Sequence, residues 1–359
     1  MNKRLSPRDD LRALEGYHSA QIDVPVRLNT NESPYPPPRA FVDAWVQSIA
    51  ATPLNRYPDR EARQLRAALA RQLGQPVERL FCANGSNEVL QTLLLTFGGA
   101  GRATAVFEPT YALHSHIARI TGTRVVVGER AADFTVDADV ARALLAEHRP
   151  AVVFLCSPNN PTGTVEDSAT IESLADATDG LVVVDEAYGE FADRSAMELV
   201  TDDGPVVVVR TYSKVWSMAA LRLGFCVAPP WLVEELEKVV LPYHLAAPTQ
   251  LAGVLALEYG AEMDERIALL VRERERLRTA LDGVDGVTTL PSGANFVLVR
   301  VHGDGAALWQ RLVDRGVLVR DFSRWPRLHD CLRVTVGTPE ENDAFLAALR
   351  AALQEVPAA

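Results

Sequence analysis

The stretch VVVVRTYSK, residues 206–214, decides the fold. Four consecutive valines leave no polar face, so the run reads as a strand buried on both sides, which requires helices over both faces of its sheet. Two upstream stretches repeat the pattern: AVVFLC at 151–156 runs into SPNNPTG at 157–163, and LVVVD at 181–185 runs into Glu186, Ala187 and Tyr188. Further runs at 79–83, 103–107, 124–127 and 225–228 alternate with helical stretches such as 88–97 and 167–177. This alternation predicts an α/β domain around a large, mostly parallel sheet. Ligands of open α/β sheets bind where strands end and polar loops begin, and all three quoted loops begin there.

On either side of this region the texture changes. Residues 1–44 read as an extended arm, because Pro25, Pro34, Pro36, Pro37 and Pro38 punctuate it and hydrophobic periodicity is absent. An arm of that length needs a surface to pack on. The large domain is expected over 45–246. Beyond it comes an amphipathic helix at 263–281, whose charged run RERERLR is most simply a solvated face, then strand-like runs at 296–301, 317–320 and 331–336. Thr338, Pro339, Glu340 and Glu341 open the last helix as a capping box with proline at N1. Residues 247–359, with the arm, are expected to form a smaller α+β domain.

The 36 Lys plus Arg against 47 Asp plus Glu give a net charge of −11, which argues against a nucleic-acid partner. At 48% hydrophobic and 23% charged, the 359-residue chain has an ordinary globular composition. The opening MNKRLSPRDDLRAL has neither the apolar core of a secretory signal nor the acid-poor bias of a transit peptide. No run approaches the roughly 18 apolar residues of a membrane span, so a cytoplasmic protein is expected. Cys82, Cys156, Cys226 and Cys331 lie far apart, and His114 and His116 point to different faces of a helix, so no metal site is expected.

Only three of the 36 basic residues are lysines: Lys3, Lys214 and Lys238. Lys214 stands out at a strand end beside Ser213, because an amine can deprotonate and form an imine whereas a guanidinium cannot. Asn84, Gly85, Ser86 and Asn87 form a small-residue turn that opens a helix and offers N–H groups to an anion. The turn matches neither GxGxxG nor a P-loop. Taken alone, NNPTG fits a ligand loop or a simple turn, and Asp185 fits a functional carboxylate or a helix cap. Together these segments supply an imine-forming amine, an anion cradle with Arg222, and an Asp, an Asn and a Tyr at neighbouring strand ends. That set suits pyridoxal 5'-phosphate, whose aldehyde needs the amine, whose phosphate needs the cradle, and whose pyridine nitrogen needs a carboxylate.

Eight segments, in order along nearly the whole chain, carry a family resemblance: LNTNESP at 28–34, NRYP at 55–58, EPTY at 108–111, SPNNPTG at 157–163, DEAY at 185–188, RTYSK at 210–214, LRLG at 221–224 and LRVTVG at 332–337. In these the sequence resembles the fold-type I pyridoxal-phosphate aminotransferases of class I/II. Tyr17 in GYHSA, NRYP and the ending RVTVGTPEEN most resemble the histidinol-phosphate branch, whose substrates are histidinol phosphate and glutamate or 2-oxoglutarate.

The resemblance implies that Lys214 bonds covalently to the cofactor, Asp185 pairs with its pyridinium nitrogen, Asn160 and Tyr188 hydrogen-bond its ring oxygen, and Tyr111 stacks on its ring. Backbone groups of Gly85 and Ser86 would hold the phosphate with Ser213, Arg222 and Tyr57. In this family the last of these reaches across from the partner subunit of a homodimer. Arg333 resembles the substrate-anion arginine, and Arg320 with Tyr17 a second contact to the substrate phosphate.

The sequence departs from the pattern at 215–220, VWSMAA, where Trp216 and Met218 add bulk near the cofactor, read first as simple repacking and second as a reshaped pocket with altered substrate choice, and at Asn87, where relatives often carry an acid. Other activities on this scaffold are aromatic amino-acid transamination, for which Trp216 or Tyr243 would supply an apolar wall, and threonine-phosphate decarboxylation. A catalytically silent cofactor-binding regulator would be expected to carry a DNA-binding extension, for which the length and charge leave no room.

Overall fold

The computed structural model describes residues 5–12, 14, 16 and 20–355. Its strands, in chain order, are β1 (Val26–Leu28), β2 (Leu80–Ala83), β3 (Ala103–Glu108), β4 (Arg124–Glu129), β5 (Val152–Cys156), β6 (Leu181–Asp185), β7 (Val206–Thr211), β8 (Gly224–Val227), β9 (Val287–Thr289), β10 (Phe296–Val301), β11 (Val317–Asp321) and β12 (Cys331–Thr335). Seven form one sheet in the order β2-β8-β7-β6-β5-β3-β4. Five of them, β3 to β7, pair in parallel, while β8 runs antiparallel to both β7 and β2. The mostly parallel α/β architecture expected from the apolar runs is the one observed.

Period-two alternation splits each central strand between two apolar layers. Val153, Leu155, Val182, Val184, Val206 and Val208 enter the cluster under one face. Val152, Phe154, Leu181, Val183, Val207 and Val209 enter the cluster under the other, against the helices Gly85–Phe97 and Pro230–Val239. Neither face meets water, which is why no polar residue interrupts the runs. In register, Cys156 pairs with Asp185 and Asp185 with Val209, so β5 and β6 end at one level and β7 runs two residues further, to Thr211. Asp185 continues the alternation of Leu181 and Val183, and so faces the layer that also holds the helix Ala112–Ile120.

The second sheet runs β1-β11-β12-β10-β9, with β1 parallel to β11 and the other pairs antiparallel. The helices Gly260–Asp282, Gly305–Asp314 and Pro339–Gln354 bury Leu277, Leu281, Leu308, Leu312, Phe345 and Leu349 against it. Thr338 caps the last helix: its hydroxyl accepts the Glu341 N–H, while the Glu341 carboxylate accepts the Thr338 N–H.

The arm's surface is therefore an edge of the smaller sheet, which β1 extends. One helix, Arg39–Ala50, starts inside the segment expected to be extended: Pro38 closes the proline run at its N-cap, and Phe41 and Trp45 pack against the large domain's core. The division expected after residue 246 falls at the start of the helix Ala247–Ala256, whose Ala252 and Ala256 belong to that same core. All four cysteines are free and buried. Burial pushes the Cys82 thiol up to about 12 and the Cys331 thiol up to about 11, and raises those of Cys156 and Cys226 further.

Candidate active site

A cavity of about 380 Å³ lies where β5, β6 and β7 end, closed on one side by β12 and by residues 29–32 of the arm. Asn160, Asp185, Tyr188, Ser213, Lys214 and Arg222 line it from the large sheet, and Arg333 lines it from the smaller one. Most of the residues singled out in the sequence thus converge.

One end is built for an anion. The N-terminus of the helix Gly85–Phe97 faces Arg222, and two glycines permit the approach. A Cβ on Gly85 would lie 2.6 Å from Arg222 Nη2, and one on Gly224 would lie 2.2 Å from the Ser86 nitrogen. Gly85 also has φ +77°, a left-handed backbone that favours glycine. Arg222 Nη1 donates to Ser213 Oγ at 3.3 Å and to the Ala219 carbonyl at 3.1 Å. Helix N–H groups, a hydroxyl and a guanidinium in one cradle suit a phosphate.

At the strand level sits Asp185, 1% exposed. Its Oδ1 accepts the Ala187 N–H at 3.1 Å, and its Oδ2 accepts from His114 Nε2 at 3.0 Å. A carboxylate only accepts, so Nε2 carries the imidazole proton. His114 is itself stacked on Phe154, ring centroids 4.7 Å apart, and Tyr111 meets it edge-on at 5.4 Å. Both carboxylate oxygens are therefore oriented by fixed partners.

Lys214 Nζ donates to the Thr30 carbonyl at 3.0 Å and lies 5.8 Å from the centre of the Tyr188 ring. Burial, then the positive charge of Arg333, pull its ammonium down to about 8, with Glu32 opposing and Arg222 assisting. Tyr188 accepts a hydrogen bond from Asn31 Nδ2 at 2.9 Å and a longer one from Asn160 Nδ2 at 3.5 Å. Burial raises its phenol to about 12, so it stays protonated and able to donate at neutral pH. Arg333, 6% exposed, donates to Asn160 Oδ1 through Nη1 and to the Asn29 carbonyl at 2.7 Å through Nη2, and packs over Phe296 at 5.2 Å. The donor set fits pyridoxal phosphate: an anion cradle, a carboxylate at strand level, a neutral phenol and an amine of lowered basicity share one cavity.

Other predicted residues lie elsewhere. Tyr57 is 80% exposed and stacks on Tyr243 at 4.4 Å, outside the cavity, so Tyr243 forms no wall there. Arg320 pairs with Arg333 across β11 and β12, and its guanidinium lies over Phe322 at 5.9 Å rather than in the cavity lining. Tyr17 falls outside the described residues. Of the two readings of VWSMAA, the packing supports repacking: Met218 is buried in the large core and Trp216 stacks on Tyr212 at 5.2 Å, while the small Ala219 and Ala220 line the cavity.

The sequence reading assigned no role to His114, Thr211 or residues 29–32. For His114 a signal existed in EPTYALH, which places it one helical turn after Tyr111 on the same face. Among the described residues no helix is long and apolar enough to cross a membrane, and no group of three His, Cys, Asp or Glu could hold a metal ion.

Known proteins resemble this chain. The histidinol-phosphate aminotransferase of Mycobacterium avium (strain 104) is 48% identical over 353 residues, covering 95% of this chain and 87% of that protein. That of Thermobifida fusca (strain YX) is 48% identical over 351 residues, covering 95% and 94%. The crystal structure of histidinol-phosphate aminotransferase from Sinorhizobium meliloti in complex with pyridoxal-5'-phosphate superposes with a TM-score of 0.85 at 25% identity, covering 93% of this chain and 92% of that one. The sequence profile of the family described as aminotransferase class I and II matches residues 23–349. The chain belongs to that family and is an aminotransferase.

Proposed function

We propose that this aminotransferase moves the amino group of L-histidinol phosphate to 2-oxoglutarate, giving imidazole-acetol phosphate and glutamate in histidine biosynthesis, with pyridoxal 5'-phosphate as its cofactor. Amino transfer is supported by one juxtaposition: the Lys214 amine and the Arg333 guanidinium enter the same cavity from the two sheets. The choice of substrate is supported by the 48% identical relatives that carry this name.

Bound pyridoxal phosphate supplies an aldehyde that exchanges amines and a ring that accepts the electron pair of the substrate's Cα–H bond. Asp185, fixed by His114 and the Ala187 N–H, offers its carboxylate to the ring nitrogen. The Tyr188 phenol and the Asn160 amide would hydrogen-bond the ring oxygen. Gly85, Ser86, Ser213 and Arg222 would hold the phosphate. Lys214, its basicity lowered by burial and Arg333, would take the substrate's Cα proton and return it on the cofactor side of the transferred nitrogen. Arg333 presents a fork that pairs with a phosphate or a carboxylate, which lets one site accept both substrates.

Arg320 belongs to the same strand pair and, with Tyr17, would add charge and a hydroxyl for the phosphate dianion. Tyr57 projects from the single chain, as a residue serving a partner subunit's cofactor would in a homodimer. Four unpaired thiols suit a reducing compartment such as the cytoplasm.

The test compares kcat/KM for histidinol phosphate, phenylalanine and threonine phosphate, in the wild type and in Arg320→Ala. Histidinol phosphate is expected to lead by at least tenfold, and Arg320→Ala to narrow that lead. Preference for phenylalanine, or carbon dioxide release from threonine phosphate without an amino acceptor, would replace the substrate.

A further inference from the structure

We propose that Asn31 is a positioning residue that aims the Tyr188 phenol at the cofactor's ring oxygen and ties that aim to the strand carrying Arg333. This rests on the aminotransferase reading of the cavity, though not on the identity of the substrate.

Asn31 is 1% exposed and adopts φ 56°, a left-handed backbone unusual for a residue other than glycine. All four of its polar groups are engaged. Its N–H donates to Thr335 Oγ1 at 3.0 Å, its carbonyl accepts from Asn295 Nδ2 at 3.1 Å, its Oδ1 accepts from Thr335 Oγ1 at 2.9 Å, and its Nδ2 donates to Tyr188 at 2.9 Å. These partners fix the orientation of its amide. The Thr335 hydroxyl already accepts the Asn31 N–H, so its single proton goes to Oδ1, and Nδ2 is left to face Tyr188.

The consequence falls on the phenol. Its oxygen receives protons from Asn31 and, at 3.5 Å, from Asn160. Its own proton is therefore free to point into the cavity, where the phenol acts as a donor. Thr335 lies two residues beyond Arg333 on β12, on the same face of the strand. Asn31 thus links the strand that binds the substrate anion to the phenol that tunes the cofactor, across 157 residues of sequence to Tyr188 and 304 to Thr335. The neighbouring positions reinforce the strap, since Asn29 and Thr30 give their carbonyls to Arg333 and Lys214.

The charged and titratable groups bearing on Tyr188 are Arg333 from β12, Asp185 from the end of β6, Cys156 from β5, and Lys214 after β7. None of them is altered by changing Asn31. Asn31→Gly keeps the left-handed backbone and deletes the amide, whereas Asn31→Asp keeps the shape and turns the donor into an acceptor that claims the phenol's proton. A phenol withdrawn from the ring oxygen leaves that oxygen to hold the proton of the neighbouring Lys214 nitrogen more tightly.

The experiment follows the absorption of the bound cofactor against pH, without substrate, in wild type, Asn31→Gly, Asn31→Asp, Tyr188→Phe and the double variant Asn31→Gly/Tyr188→Phe. The midpoint is expected to rise by roughly half to one pH unit in Asn31→Gly, the equivalent of one neutral hydrogen bond, and by more in Asn31→Asp. In the Tyr188→Phe background Asn31→Gly should add nothing. Equal midpoints in wild type and Asn31→Gly, or shifts that add in the double variant, would overturn the proposal. Should the Gly variant fail to fold, Asn31→Ala against Asn31→Ala/Tyr188→Phe gives the same cycle without adding a charge. Because no substrate is present, a midpoint that shifts in an enzyme inactive on histidinol phosphate would refute the substrate and leave this role standing.

Discussion

The rim of the large sheet and the strap at residues 29–32 face each other across one cavity, yet they are held in place by different physics. Asp185 and the loops after β5 and β7 sit where they do because the apolar runs beneath them can pack in only one register, with every intervening valine below 4% exposure. The strap owes its place to hydrogen bonds from side chains hundreds of residues away: Arg333 to the Asn29 carbonyl, Asn295 and Thr335 to Asn31. A rim built on burial is rigid and locally encoded. A strap built on hydrogen bonds, each worth about 1 kcal/mol net, depends instead on partners spread along the chain.

Three perturbations separate the two sides. The largest concerns the rim: with Lys214 as the proposed covalent anchor and base, Lys214→Ala should cut turnover about 10⁴-fold, with cofactor lost on gel filtration. Near-normal single-turnover kinetics would move the chemistry off the sheet rim. The next concerns the side opposite. Arg333→Lys keeps the charge but not the fork that holds Asn160 and the Asn29 carbonyl, so kcat/KM for every anionic substrate should drop about 10²-fold, the loss falling mainly in KM. If kcat alone fell, the strap side would be catalytic rather than binding.

The smallest effect sharpens the contrast in stability. In the cofactor-free protein the Lys214 ammonium is depressed from 10.5 to about 8, so between those values the unfolded chain binds more protons than the folded one. Folding stability should rise with pH across that window, by an amount on the order of 2 kcal/mol because the amine still meets an open cavity. Urea titrations of the cofactor-free wild type and Lys214→Met at pH 8 and 10 check this: the variant should lack the rise.

The same contrast explains what was legible in the sequence. The rim was readable because runs such as LVVVDEAY carry strand, burial and functional group within eight residues. Lys214 was conspicuous against a background of arginine. The three residues of β1 show no period, and nothing local signals that Asn31 would pair with Thr335. Trp216 and Met218 left two readings open for a related reason: bulk near Lys214 says nothing about which way the chain turns, and a left-handed Ser217 between them, φ 54°, breaks the simple alternation. Tyr57 and Arg320 were named from resemblance, and the single chain holds neither in the cavity lining.

The four buried thiols give the molecule an internal clock. With Cys82, Cys156 and Cys226 in the large sheet, Cys331 on β12, and every thiolate disfavoured by burial, an alkylating reagent has no target until the surrounding strands part. Modification of the first three therefore times the opening of the cofactor sheet, and modification of Cys331 times that of the smaller one. Peptide-resolved labelling would report whether the two halves breathe together or apart, with no engineered probe.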